Sequence, residues 1–193
     1  MVNRRRGVLI VGLAVVAAVA SIALADVIFV YTGQLNVSPT TAPLSFTTGP
    51  NAGPSRTDAE PYINFTETNS GFMVSLVITN SYAVYYYEAG ELTVNTAGYI
   101  YVNSISINGS AVNTLTIYIA PSSSPNTYTC TIQVISGGSA VQTPTTPCPL
   151  SSGTYYIHIY VSPNLPVTNT STETVTVTFG YNVISVASVP VPT

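Results

Sequence analysis

The chain has 193 residues, of which 46% are hydrophobic and only 6% are charged, and it contains no lysine. Three of its four basic residues lie at positions 4–6, so the chain beyond residue 25 sets Arg56 against seven acidic residues and carries a net charge of about −6. Because binding to phosphates needs clustered Lys and Arg, this composition excludes nucleic acid as a partner and leaves a polar surface built from Thr, Ser, Asn and Tyr.

Residues 1–25 have the layout of a secretory signal peptide. Arg4–Arg6 form a positive cluster, residues 7–25 are an apolar run without a charge, and Ala23 and Ala25 supply an A-x-A cleavage site. The run of about 19 residues is also long enough to cross a bilayer as an uncleaved helix, with the arginines on the cytoplasmic side. Both interpretations place the rest of the chain outside the cell, and we expect cleavage after Ala25.

A third interpretation of the N-terminus is an archaeal type IV pilin. Its short basic leader would be cleaved after Arg6, and residues 7–35 would form the core helix of a filament. Asp26 would then lie inside that helix, and the five residues after it are β-branched or aromatic. Such residues favour strands over helices, so the sequence favours a signal peptide followed by a strand.

Residues 26–37 are predicted to form a strand with one apolar face. In one phase lie Val27, Phe29, Tyr31, Gly33, Leu35 and Val37, and in the other lie Ile28, Val30, Thr32, Gln34 and Asn36. Two interpretations remain open. The strand either pairs within its own domain, or it completes the sheet of the next subunit by donor-strand exchange. A contact of the second kind is head-to-tail and does not close, so it builds a filament.

Residues 38–193 are predicted to form one all-β domain, a β-sandwich of either jelly-roll or immunoglobulin-like type. A connection rich in Pro, Gly, Thr and Ser spans residues 39–61 and holds one short strand near Leu44–Phe46. Asn108-Gly109 predicts a tight hairpin, and Ser136–Ser139 predicts a loose hairpin loop. Alternating apolar and polar residues predict the remaining strands at 72–79, 83–88, 99–107, 114–119, 127–134, 155–161 and 174–186.

The cysteines and sequons fit an exported chain. Cys130 and Cys148 are its only cysteines, and an even pair in an exported protein predicts a disulfide, with two free thiols as the alternative. Asn-x-Ser/Thr sequons predict N-glycosylation at Asn36, Asn64, Asn108 and Asn169.

No catalytic or metal-binding constellation is recognisable, so we expect neither an enzyme nor a bound cofactor. His158, the only histidine, is expected on the surface beside tyrosines, without a Cys-x-x-Cys motif that would suggest a metal. Glu88 and Glu91 are interpreted as solvated turn residues, the alternatives being a glycosidase carboxylate pair or a calcium site. Residues 85–87, three consecutive tyrosines, are expected to pack with one or two rings exposed, a sugar-binding platform being the alternative.

The leader, the apolar N-terminal strand and the stretch Val74–Tyr87 (VSLVITNSYAVYYY) resemble archaeal bundling pilins and thread subunits, a family similar to the bacterial biofilm matrix protein TasA. The resemblance implies a jelly-roll-like domain that polymerises by inserting its N-terminal strand into a neighbour, and filaments that bundle into an extracellular matrix. The inserted residues would be Val27, Phe29, Tyr31 and Leu35.

The resemblance thus implies a structural subunit of a pilus or thread, serving adhesion or biofilm formation. Its partners would be copies of itself and neighbouring filaments, with no small-molecule substrate. Two alternatives to a filament subunit remain besides the type IV pilin. One is a membrane-anchored cell-surface binding module that keeps residues 7–25, and the other is a secreted hydrolase.

Overall fold

The computed structural model describes residues 41–68, 71–168 and 173–190, together with Leu13, Gly33 and Gln34. These described residues form eleven strands. In chain order the strands are β1 (Leu44–Thr48), β2 (Ile63–Thr68), β3 (Gly71–Leu76), β4 (Val84–Val94), β5 (Gly98–Gly109), β6 (Val112–Pro121), β7 (Cys130–Ser136), β8 (Ser139–Ala140), β9 (Cys148–Leu150), β10 (Gly153–Pro163) and β11 (Glu173–Asn182).

The chain divides into two compact units, residues 1–39 and 40–193, and all eleven described strands belong to the second. The predicted signal peptide lies outside the described residues, apart from Leu13. The predicted N-terminal strand also lies outside them, apart from Gly33 and Gln34, so its residues Val27, Phe29, Tyr31 and Leu35 have no described position. In the parts of the chain that the structure describes, no helix has the length and apolar character needed to cross a membrane.

Residues 40–193 form a β-sandwich, as the alternating pattern predicts. One layer is an antiparallel six-stranded sheet with the order β1-β4-β10-β6-β7-β8. The facing layer contains the β2-β3 hairpin and a three-stranded sheet with the order β11-β5-β9. Side chains from both layers meet in one core, whose largest fully buried members are Phe65, Leu92, Ile100, Ile119, Ile135, Leu150 and Ile157.

A disulfide between Cys130 and Cys148 joins the two layers, as predicted from the cysteine count. Cys130 is the first residue of β7 in the six-stranded sheet, and Cys148 is the first residue of β9 in the three-stranded sheet, with their Cα atoms 5.9 Å apart. Cys130 is buried in the core, so the covalent link lies where the two layers already pack.

Both predicted hairpins differ from the observed turns. Asn108-Gly109 ends β5, but β6 belongs to the other layer, so the chain crosses between layers there instead of forming a hairpin. The Ser136–Ser139 loop is tight, because Ser136 pairs directly with Ser139 around Gly137 and Gly138. These glycines have φ of 59° and 73°, the left-handed values that a two-residue hairpin turn requires at both central positions.

Strand β4 is longer than predicted. The predicted turn around Glu88 and Glu91 is wrong, because β4 runs without interruption from Val84 to Val94. Glu88 has φ of 52°, and the register of the neighbouring strand β10 shifts beside it, between Ile157 and Ile159. The residues that suggested a turn therefore form an irregularity inside a long central strand.

Candidate functional site

The second layer is interrupted between β3 and β11. Among the described strands, β3 pairs only with β2, and β11 pairs only with β5. Each strand therefore turns one row of main-chain N–H and C=O groups toward the gap without a described strand to bond them. Such open edges are templates for pairing with another strand, and proteins normally cover or blunt them.

An apolar groove, here called the interlayer groove, lies in this gap. Its walls are formed by Phe72, Val74 and Leu76 of β3 and by Val175, Val177 and Phe179 of β11. Its floor is the inner face of the six-stranded sheet, at Ile117, Ile159 and Val161. One part has a volume of about 300 Å³ and a wider part has a volume of about 1060 Å³. The two parts share Phe72, Ile117, Val175 and Val177, so they form one continuous channel.

Strand periodicity places the apolar side chains in the groove. In β11, Val175, Val177 and Phe179 alternate with Thr174, Thr176 and Thr178, which are exposed. The valines and the phenylalanine are only half-buried, although their phase points into the sandwich. By contrast, Ile119 and Ile157 of the facing sheet are fully buried. The wall residues thus have the pattern of a core that lacks one neighbour.

The groove has two chemically different ends. At one end, the Pro43 end, it is lined by Ala42, Pro43 and Leu44 just before and at the start of β1, together with Tyr181. At the other end, the Glu173 end, it is lined by Ile78, Ala111, Val112 and Glu173. Strand β11 runs from the Glu173 end to the Pro43 end, and β3 runs the opposite way. The ten residues of β11 correspond to a length of about 33 Å.

Among the described residues that line the narrower part of the groove, Glu173 is the only one with an ionisable side chain. Its Oε2 accepts a hydrogen bond of 2.7 Å from the backbone N–H of Val112. Its Oε1 is buried and has no hydrogen-bond partner among the described residues. A buried carboxylate oxygen without a donor is costly, so this atom marks a place where an incoming group would be favoured.

A cluster of aromatic rings covers the outer face of the six-stranded sheet. His158 is stacked on Tyr85 with ring centroids 5.9 Å apart, and it contacts Tyr87 and Tyr128 at 4.8 and 5.7 Å. The hydroxyl oxygens of Tyr85 and Tyr128 lie 2.9 Å apart, within hydrogen-bond distance, and both tyrosines are partly exposed. Of the consecutive tyrosines, Tyr86 points to the opposite face and is buried, as expected from strand alternation.

The expectation that His158 lies on the surface is wrong, because the tyrosine rings bury it completely. Its Nδ1 accepts a hydrogen bond of 3.0 Å from the backbone N–H of Glu88, the residue with the left-handed backbone. Burial lowers the pKa of the imidazole, which favours the neutral ring. His158 therefore contacts the irregular part of β4 directly, through the backbone of Glu88.

Two charged residues, Glu88 and Arg56, make local polar contacts. Glu88 accepts a hydrogen bond of 3.1 Å from the side-chain amide of Asn51. Arg56 forms an ion pair of 2.8 Å with Asp58. Over the described ranges, no group of three His, Cys, Asp or Glu side chains is arranged to hold a metal ion.

Two of the four predicted glycosylation sites lie in described strands. Asn108 is exposed near the end of β5, whereas Asn64 is half-buried on β2, where its Oδ1 accepts a hydrogen bond from Thr66. Asn36 and Asn169 lie outside the described residues. Glycosylation stays a prediction at all four.

The chain matches no protein-family model and no curated protein. The interlayer groove and the chemistry of its lining are therefore the basis for proposing a function.

Sequence patterns identified β3 and β11 as strands, but no residue in them indicated that both would be open edges facing each other.

Proposed function

We propose that this protein is the structural subunit of an extracellular filament, in which residues 26–37 of one copy fill the interlayer groove of the next. The observation that carries the proposal is the groove itself, an apolar channel between two open strand edges. A single extended strand is the ligand that satisfies both features, because its main chain bonds to the edges and alternate side chains enter the channel.

Residues 26–37 have the composition that the groove requires. Their apolar phase offers Val27, Phe29, Tyr31 and Leu35, and no charge occurs after Asp26. Burial of each large apolar side chain contributes roughly 1.5–3 kcal/mol. The groove walls present matching residues at alternate positions, with Val175, Val177 and Phe179 on one side. Twelve residues in extended form are enough to span the length of β11.

The direction of the inserted strand distinguishes a filament from pairing within one copy. Residue 37 is separated from Ala42 by a stretch that spans at most about 18 Å, so pairing within one copy places the end of the strand near the Pro43 end. In a straight filament, the strand of a neighbour must leave the groove at the other end, because the recipient's own chain enters its domain at the Pro43 end. We therefore expect the strand of a neighbour to leave by the Glu173 end and to run antiparallel to β11.

Other features of the chain support an extracellular structural role. The disulfide between Cys130 and Cys148 suits an oxidising compartment. The outward phase of β11 is a row of threonines, a weakly charged surface on which neighbouring filaments can pack. Bundling of filaments, and a contribution to adhesion or biofilm, would follow from such surfaces.

Paired substitutions on the two faces of the N-terminal strand test the proposal. We expect Val27→Thr with Phe29→Thr to abolish filaments seen by electron microscopy of cells, because both side chains enter the groove. The matched control is Ile28→Thr with Val30→Thr, which changes two apolar residues on the opposite face and should leave filaments in place. Filaments that survive the first pair, or equal loss with both pairs, would reject the proposal.

The native N-terminus separates the alternatives. A mature chain that starts at Asp26 fits a freed donor strand, whereas a start at Gly7 would favour the type IV pilin. Retention of residues 7–25 would favour a membrane-anchored surface module. Mass spectrometry of protein isolated from cells distinguishes the three masses directly.

A further inference from the structure

The carboxylate oxygen Oε1 of Glu173, which has no hydrogen-bond partner among the described residues, gives the interlayer groove a polar contact point. The rest of the narrower part of the groove is lined by apolar side chains, and Oε1 is buried even without an inserted strand. A donor on the inserted strand would pair this acceptor, and removing the cost of an unsatisfied buried acceptor would add to the binding energy. This contact point bears on how the strand is positioned in the proposed filament, and so rests on the proposed function.

A cation is not available for this contact. The chain has no lysine, its leader arginines are removed by cleavage after Ala25, and Arg56 is already paired with Asp58. Cleavage after Ala25 leaves the α-amino group on Asp26. In the direction expected for a filament, this group lies toward the Pro43 end, away from Glu173. The donor must therefore be a neutral group on the face of the strand that enters the groove.

Tyr31 is the only residue with a side-chain donor in the apolar phase of residues 26–37. A tyrosine ring suits an apolar channel, but its hydroxyl needs a partner when buried. We propose that the Tyr31 hydroxyl of one copy donates a hydrogen bond to Oε1 of Glu173 in the next copy, and that this bond fixes the register of the inserted strand.

The bond implies a specific register. With the strand antiparallel to β11, Tyr31 lies opposite Val175, and Phe29 and Val27 lie opposite Val177 and Phe179. Diagonal neighbours across such a pair are about 7–8 Å apart, which a tyrosine side chain reaches, so its hydroxyl can meet Glu173. Gly33 then lies opposite Glu173, where the absence of a side chain leaves space for the hydroxyl and the carboxylate.

Register matters because the strand has more than one apolar residue that fits each position. A slip by two residues keeps the same face inward and still buries valine, phenylalanine and leucine. It would, however, move the hydroxyl away from Glu173 and leave both polar groups unpaired. A single buried polar contact can thus select one register among several of similar apolar fit.

Peptide binding to the full chain tests this contact. Labelled peptides of residues 26–37, with Tyr31 or with Tyr31→Phe, are titrated by fluorescence anisotropy into the chain below the concentration at which it assembles. Because hydrogen bonds to charged groups are among the stronger ones, we expect the Tyr31→Phe peptide to bind at least about tenfold more weakly. On the Glu173→Met chain the two peptides should bind equally.

Glu173→Gln provides a second variant in case the methionine chain does not fold. Its remaining carbonyl oxygen can still accept the Val112 N–H, and we expect the difference between the peptides to shrink to about threefold or less without the charge. Equal binding of both peptides to the unmodified chain would overturn the contact while leaving the filament proposal intact. An equal penalty for Tyr31→Phe on all chains would also overturn it, because the hydroxyl would then have another partner. Failure of both peptides to bind the unmodified chain would instead reject insertion of a neighbour's strand, and with it the proposed filament.

Discussion

Placing one negative charge in the interlayer groove should block strand insertion with little effect on the free subunit. Val177 is the position of choice, because it lines both parts of the groove and is only half-buried without an inserted strand. In the free Val177→Asp chain, the carboxylate remains in contact with water. The free energy of unfolding should therefore fall by only about 1 kcal/mol, the value of partial valine burial.

Insertion of a strand changes the environment of this carboxylate. Phe72, Ile117 and the incoming side chains would then enclose the carboxylate, and removing it from water costs several kcal/mol. A cost of about 4 kcal/mol corresponds to roughly a thousandfold loss of affinity. Enclosure also raises the pKa of the bound carboxyl, so the penalty is present at neutral pH and disappears as the pH falls to about 4, where the acid is neutral.

The assay is anisotropy titration with the labelled peptide of residues 26–37, together with electron microscopy of assembled protein. Thr176→Asp is the matched control, since it adds the same charge to the adjacent, exposed position of β11. We expect strong binding and filaments with the control, and neither with Val177→Asp at pH 7. Unchanged binding by Val177→Asp, or equal loss with both variants, would refute the assignment of the groove as the strand-binding site.

Three further predictions concern the stability of the sandwich. Reduction of the Cys130–Cys148 disulfide should lower the free energy of unfolding by about 3 kcal/mol, measured by urea denaturation with and without reductant, since the bond closes a loop of about 19 residues in the unfolded chain. Burial lowers the pKa of His158, so below about pH 6.5 the unfolded chain binds more protons than the folded chain. The free energy of unfolding should therefore be highest above that pH and fall as the pH drops below it. His158→Gln should flatten this slope in denaturation measured from pH 8 to 5.5. Gly90→Ala should cost about 1–3 kcal/mol by the same denaturation assay, because a Cβ there overlaps the ring of Phe65, whereas Gly71→Ala, with open space around it, should be nearly neutral.

The sequence predicts the strands well where polar and apolar residues alternate cleanly. In β11, residues 174–182 follow the pattern, and the strand ends earlier than the predicted Val186 because the side chain of Asn182 accepts hydrogen bonds from the N–H groups of Ile184 and Ser185. Such a local bond competes with the sheet ladder and is not visible as an interruption of hydrophobicity.

His158 illustrates what periodicity does not predict. The alternating pattern correctly places the His158 side chain on the outer face of the sheet, because Ile157 and Ile159 face inward. Its burial depends on tyrosines from β4 and from the segment before β7, which come together only in the folded sheet. The groove, like the burial of His158, depends on segments that meet only in the folded sheet. Each wall strand can be predicted from its own residues, but the gap between β3 and β11 depends on the order of strands in the sheet.

A cryo-electron microscopy map of filaments isolated from cells is the most direct test of strand exchange. We expect a continuous strand between β3 and β11 of each subunit, with the side chains of Val27, Phe29 and Tyr31 in the groove and the strand connected to the domain of the adjacent copy. A groove that is empty, or that holds the N-terminal strand of its own domain, would contradict it.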